Sequence, residues 1–157
     1  LLADLDVDTK ATYQAKLEAV LKESYRLLSI GAGETDFSNV LLDSNEIAKC
    51  VPTPLENEDD VTTAEENARK KAIGASVTNV SVTPDDTLEG YPDAYTYRLD
   101  GNDGIVMDVK IKVSTTNGDA RVKATINMSL INGAWKVVSI DSSKDIFTEL
   151  SVLDPEW

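Results

Sequence analysis

Two Asn-Gly dipeptides, Asn117-Gly118 and Asn132-Gly133, constrain the fold of this chain more than any other feature of its sequence. Each lies between runs in which apolar and polar residues alternate, which is typical of a type I′ hairpin turn. Because the side chains of a strand alternate between two faces, a tight turn determines which residues face each other and which share a face. The two turns therefore predict three consecutive antiparallel strands.

The register predicted by these turns separates an apolar face from a polar one. Pairing outward from the first turn joins Val113 with Val122, Ile111 with Ala124, Val109 with Ile126 and Met107 with Met128. Pairing outward from the second turn joins Leu130 with Trp135 and Met128 with Val137. Both turns thus select the same apolar face, which predicts a sheet with one buried and one solvated side.

Two further strands are predicted upstream of this set. The turn-like residues 100–104 suggest that 95–99 pairs with 105–109, which would place Tyr95, Tyr97 and Leu99 on the apolar face. Residues 77–82 are rich in β-branched side chains, although their apolar positions do not alternate cleanly, and Pro84 follows soon after. The predicted antiparallel sheet therefore has four to five strands.

The N-terminal half of the sequence has helical patterns. Residues 9–30 contain no Gly or Pro, their apolar residues recur every three or four positions, and Gly31 is placed to end the helix. A second helix is predicted over 63–73, with overlapping capping boxes at its start and Gly74 as its stop. A short helix is predicted over 45–50.

These elements predict one α+β domain over 1–157, with N-terminal helices packed on a curved antiparallel sheet. Residues 1–8 are expected to be a flexible leader. Residues 142–157 form a C-terminal extension, either a last helix or an exchanged arm, with Ile146, Phe147, Leu150 and Leu153 at helical spacing. Because the chain begins at Leu1, we expect that a signal peptide, an anchor or an upstream domain has been removed.

Composition narrows the function classes. The chain has no histidine, so Ser-His-Asp catalysis, Cys-His catalysis and the usual zinc sites are not expected. A net charge of −13 argues against nucleic acid as a partner. No run approaches the roughly 20 apolar residues of a membrane span, and Cys50, the single cysteine, suits a buried apolar position. We predict no metal site and no cofactor.

The polar face of the predicted sheet is basic, although the molecule is acidic. Two interpretations are open for this face: a solvated surface that meets the acidic segments of the same chain, or a docking surface for an acidic partner or an anionic envelope polymer. The basic residues assigned to this face are Arg98, Lys110, Lys112, Arg121, Lys123 and Lys136.

The predicted helices are followed by a curved meander, which ends in Asn132-Gly-Ala-Trp135-Lys-Val-Val-Ser-Ile140-Asp. This order of elements resembles the nuclear transport factor 2-like superfamily of the cystatin-like fold, in particular its small exported bacterial domains. The resemblance covers residues 9–141 and rests on architecture. It implies a conical pocket between helices and sheet. The candidate lining residues are Tyr25, Tyr95, Tyr97, Met107, Met128 and Trp135, with Tyr13 beside them.

Members of this superfamily include enzymes, ligand binders and interaction domains, so the fold alone leaves the function open. Enzymes of the ketosteroid isomerase type place an Asp base inside the pocket, whereas here Asp100 and Asp108 fall on the outer face. We therefore expect a non-catalytic, extracytoplasmic binding or scaffolding domain that takes an apolar small ligand or a protein partner at the cell envelope. The alternatives are a lyase or isomerase, and a scaffold domain of a conjugative secretion system, which would form a homodimer.

Overall fold

The computed structural model describes residues 7–51, 56–57, 60–85, 94–99, 101–142 and 144–147, and within 94–99 only the side chains of Thr96 and Arg98. This part of the chain is α+β, with helices packed against a curved antiparallel sheet, which confirms the predicted fold class. Its helices are α1 (Val7–Ser29), α2 (Glu34–Phe37), α3 (Ser44–Cys50) and α4 (Asp60–Ser76). Its strands are β1 (Val77–Pro84), β2 (Ala94–Leu99), β3 (Asn102–Thr115), β4 (Gly118–Ile131) and β5 (Ala134–Ser142).

Helix α1 matches the prediction closely. Leu17, Leu21 and Leu28, which share one stripe of the helix, are at most 2% exposed. Gly31 has φ +65°, and its N–H donates to the Leu28 carbonyl, while the next N–H reaches back five residues. These bonds form a Schellman motif, so Gly31 ends the helix as predicted. Helix α1 begins inside the predicted leader, of which residues 1–6 lie outside the described part of the chain.

Aspartate side chains accept backbone hydrogen bonds at the starts of two other helices. Helix α3 confirms the short helix predicted over 45–50, and the Asp43 carboxylate caps it by accepting from the Asn45 N–H at 2.8 Å. Helix α4 starts at Asp60, earlier than predicted, and the Asp60 carboxylate accepts from the Asn57 N–H.

Gly74 was predicted to stop this second helix, and that prediction is wrong. Helix α4 runs through Gly74 and ends two residues later at Ser76. A Cβ atom at Gly74 would lie 2.7 Å from the backbone nitrogen of Ser29 and 3.0 Å from the carbonyl carbon of Leu28. The glycine therefore allows the backbones of α1 and α4 to approach each other.

The described sheet is arranged around β3. Its strand order is β1-β3-β4-β5, with β2 also paired to β3, and every pair is antiparallel. Strands β1 and β2 share one edge of β3, since β1 pairs with its C-terminal half and β2 with its N-terminal half. The fifth strand predicted over 77–82 is confirmed by β1.

The second predicted turn forms as expected. Asn132 has φ +51° and Gly133 has φ +80°, the two positive values that a type I′ turn requires. Leu130 then pairs with Trp135, and Met128 with Val137, which confirms this register.

The first turn is displaced by one residue. Thr115 pairs with Gly118, so the turn consists of Thr116 and Asn117. The Thr115 hydroxyl accepts from the Asn117 N–H at 3.2 Å and donates to the Gly118 carbonyl at 2.7 Å, which stabilises the turn in this position. The predicted pairing of β3 with β4 is therefore wrong by two residues. Because the shift is even, the core face is the one predicted.

The register predicted for β2 is also wrong, and here the shift is odd. Leu99 pairs with Asn102, so two residues connect β2 to β3, instead of the longer connection that was predicted. Tyr95 consequently pairs with Val106, and Tyr97 with Gly104. These partners belong to the outer parity of β3, not to the parity of Met107.

Two β-bulges explain where the apolar alternation fails in the sequence. One bulge lies in β1 between Val77 and Asn79, and it brings Val77 to the side of Val80 and Val82. The other lies where β4 meets β5: Met128 pairs with Val137, but the preceding residue pairs with Ser139. Beyond this bulge the faces of β5 are exchanged.

The core lies between helix α1 and one face of the sheet. This face is formed by the odd-numbered residues of β3 and the even-numbered residues of β4. Ile146 and Phe147 of the C-terminal extension are buried in it, whereas Leu150 and Leu153 lie outside the described residues. The edge of β1 is covered by Glu18 of α1, whose carboxylate accepts from the Val82 N–H at 2.8 Å. A carboxylate at this position blocks pairing with another strand.

Candidate functional site

The outer face of the sheet carries a compact group of four cations. Lys110 of β3 lies directly opposite Lys123 of β4, and Lys112 lies directly opposite Arg121. We call these four residues the basic array. Like charges at directly opposite positions are unfavourable in a sheet, and both pairs concentrate positive charge on one face.

The members of the basic array differ in exposure. Lys123 is exposed, whereas Lys110, Lys112 and Arg121 are half-buried. The Arg121 side chain is 16% exposed, and its Nη2 lies 3.7 Å from Oδ2 of Asp119. The half-buried lysine stems therefore cover part of the sheet, as is usual for this side chain.

A row of carboxylates borders the basic array at one end. Asp108 of β3 pairs with Thr125 of β4, which pairs with Asp141 of β5. The Asp85 N–H donates to the Asp108 carbonyl at 2.8 Å, and the Thr125 hydroxyl donates to the Asp108 carboxylate. We call Asp85, Asp108 and Asp141 the acidic row.

An open cleft of about 290 Å³ joins the acidic row to the basic array. Its lining comprises Asp85, Asp108, Lys123, Ala124, Thr125, Asp141 and Ser142. Sequence reasoning missed this cleft because it depends on the bulge in β5. With unbroken pairing from the second turn, Asp141 would oppose Ala124 on the core face. The only signal was the break in alternation between Val137 and Ile140.

Two residues predicted for the basic face do not join the array. Arg98 pairs with Asp103, an odd-numbered residue of β3, so the β2 register places it on the other parity. Its guanidinium donates to the Gly101 carbonyl at 2.5 Å and lies 3.2 Å from the Asp103 carboxylate. Lys136 has the predicted outer parity, but its ammonium donates to the Ser38 carbonyl at 3.0 Å.

The residues predicted to line an apolar pocket are packed where the structure describes them. Met107 and Met128 are at most 2% exposed within the core. The Tyr25 hydroxyl donates to the Ile146 carbonyl, and its ring lies 5.5 Å from that of Phe147. Trp135 contacts Tyr13 edge to face, with ring centroids 5.2 Å apart. The side chains of Tyr95 and Tyr97 lie outside the described residues.

Two other clefts are present in the described part of the chain. One, of about 340 Å³, lies between α1, α4 and the start of β1, and Tyr25 and Lys22 contribute to its lining. The other, of about 270 Å³, lies between α3 and the end of β5 and is lined by Glu46, Lys49 and Asp145 among others. Glu46 forms an ion pair with Lys49, whose ammonium lies 3.0 Å from the Glu46 carboxylate. Neither cleft contains Met107, Met128 or Trp135.

Cys50, the last residue of α3, is buried, with 3% of its surface exposed. Burial is the main cause that raises the pKa of its thiol to about 12, and the nearby carboxylate of Asp145 acts in the same direction. The thiol is therefore protonated at neutral pH and is a poor nucleophile.

Within the residues that the structure describes, no group of three or more Asp, Glu, Cys or His side chains is arranged to hold a metal ion. None of the described helices combines the length and the apolar character needed to cross a membrane. Comparison of the chain with protein families, with curated proteins and with solved structures finds no match.

Proposed function

We propose that this chain is a non-catalytic binding domain that docks an acidic protein partner on the basic array and works outside the cytoplasm, at the cell envelope. The proposal rests on two directly opposed pairs of cations, Lys110 with Lys123 and Lys112 with Arg121. In a chain of net charge −13, such a concentration of positive charge on one face favours an anionic partner.

Two of the other functions expected from the sequence receive less support. An apolar ligand would need room beside Met107 and Met128, and both are packed in the core. An isomerase would need a carboxylate on the core face, and in β3 and β4 the buried residues of that face are all apolar. The helix-on-sheet architecture agrees with a nuclear transport factor 2-like relationship, which stays part of the proposal together with the envelope location.

The proposal is tested with a short fluorescent oligoglutamate as the probe and fluorescence anisotropy as the readout at low salt. The variant removes the charges of the basic array by changing Lys110, Lys112, Arg121 and Lys123 to Gln. A matched control removes four charges from α1 and α4 by changing Lys16, Lys22, Arg69 and Lys71 to Gln. Both variants have the same net charge, so a general electrostatic effect would weaken both equally.

We expect the array variant to lose at least about tenfold in affinity and the helix control to stay within about twofold of the wild type, with binding weakened by added salt. Equal losses in both variants would overturn the proposal. A homodimer that dissociates only in the array variant would also contradict it, since the array would then bind a second copy. Urea denaturation of each variant checks that the fold is retained.

A further inference from the structure

We infer that the partner presents a charge-ordered segment in extended conformation, with two acidic residues at alternate positions followed by a basic residue at the next alternate position. This inference rests on the proposed function and specifies the partner further. The supporting observation is the cleft that contains Lys123 of the basic array together with Asp108 and Asp141. One ligand that lies in this cleft must contact both signs of charge.

The charges on the outer face follow a fixed sequence along the strands. Lys112 and Arg121 form the first row, and Lys110 and Lys123 form the second row. The acidic row follows, two residues further along each strand. Alternate residues of a strand are about 6.8 Å apart, so the rows repeat with the spacing at which an extended segment places the side chains of one face.

The acidic row limits the length of an anionic ligand. A third negative charge in register with the first two would lie against Asp108 and Asp141 and would be repelled. At the opposite end of the array, Asp119 lies 3.7 Å from Arg121 and has the same effect. A long polyanion that lies along the strands, such as a nucleic acid or an anionic envelope polymer, would have to cross one of these boundaries.

The cleft offers a cationic side chain suitable contacts at the acidic end. Asp141 is exposed, Asp108 is half-buried, and Thr125 and Ser142 add hydroxyl groups to the lining. A lysine or arginine of the partner would thus place its charge between carboxylates, while the preceding acidic residues face the lysines of the array. A protein segment can carry both signs of charge, whereas a polyanion cannot.

The test compares two peptides of the same composition and net charge, Glu-Ser-Glu-Ser-Lys and Glu-Ser-Lys-Ser-Glu, each flanked by Ser and Gly. Affinities are measured by NMR titration, because weak binding is expected. Only the first peptide matches the order of charges on the sheet. We expect it to bind at least about fivefold more tightly, as several exposed ion pairs of modest strength change sign together.

Two single variants show whether the acidic row causes this preference. Asp141→Asn should reduce the preference to about twofold or less, and it should strengthen oligoglutamate binding, because it removes a charge that repels the probe. The control Asp36→Asn, at an exposed position on α2, should keep the full preference.

The outcomes separate this inference from the proposed function. If both peptides bind equally and both are lost in the array variant, the inference is wrong and the proposed function stands. If neither responds to the array variant, both are wrong. Affinity that rises steadily with oligoglutamate length, or tight array-dependent binding of single-stranded oligonucleotides, would overturn the inference in favour of a polyanion.

Discussion

Gly74 offers a test of helix packing in which the sign of the effect is decisive. Replacing glycine by alanine inside a helix ordinarily stabilises a protein by about 0.5–1 kcal/mol, because alanine loses less backbone entropy on folding. At Gly74 the new Cβ would lie 2.7 Å from the Ser29 nitrogen, which is a backbone atom and cannot rotate away.

Helices α1 and α4 would therefore have to separate to accept the methyl group. Overpacking of this kind costs about 1–3 kcal/mol, and contact with backbone atoms favours the upper half of that range. After the helix propensity is subtracted, we expect Gly74→Ala to lower the free energy of unfolding by about 1–2 kcal/mol.

Urea denaturation followed by circular dichroism measures this change. The control is Ala72→Gly, at an exposed position two residues away in α4, which reports the propensity difference without the contact and should cost about 1 kcal/mol. If Gly74→Ala were instead more stable than the wild type by about 1 kcal/mol, the close approach of the two helices would be refuted.

Three further substitutions test other contacts. The pKa of the Cys50 thiol is higher in the folded than in the unfolded protein, so the free energy of unfolding should fall by about 1.4 kcal/mol per pH unit as pH rises above about 8.5. The Cys50→Ala variant lacks this thiol and should lose stability less steeply in urea denaturation over the same pH range. An equally steep decline in the variant would contradict this prediction. Glu18→Ala removes the acceptor of the Val82 N–H and should cost about 1 kcal/mol in urea denaturation, and an unchanged midpoint would show that the bond contributes nothing. Tyr25→Phe leaves the buried Ile146 carbonyl without its donor and should lower stability by about 1–2 kcal/mol, whereas a gain in thermal midpoint would argue against that hydrogen bond.

Local chemistry made most of the fold predictable from the sequence. Asn132-Gly133 gave the correct register because both residues adopt the positive φ that the turn requires. Gly31 gave the correct end of α1 because a left-handed residue is needed there. Gly74 looked the same in the sequence, but its role depends on a neighbouring helix, and no local pattern distinguishes a helix stop from a close contact.

The candidate site was predictable only in part. The four cations of the basic array follow from face parity, which survived the two-residue error at the first turn because that error was even. The odd error at β2 moved Arg98 to the other parity. The acidic row depends on the bulge in β5, and a bulge is an insertion into a ladder that one sequence reveals only as a break in alternation.

The most direct test of the proposed binding surface is a map of backbone amide chemical shifts during titration with the short oligoglutamate. We predict that the shifts concentrate on the outer parity of β3 and β4, at Lys110, Lys112, Arg121 and Lys123, and that they disappear in the array variant. Shifts concentrated on α1 and α4, or on the core residues around Met107 and Met128, would contradict the account, because the bound probe would then lie away from the basic array.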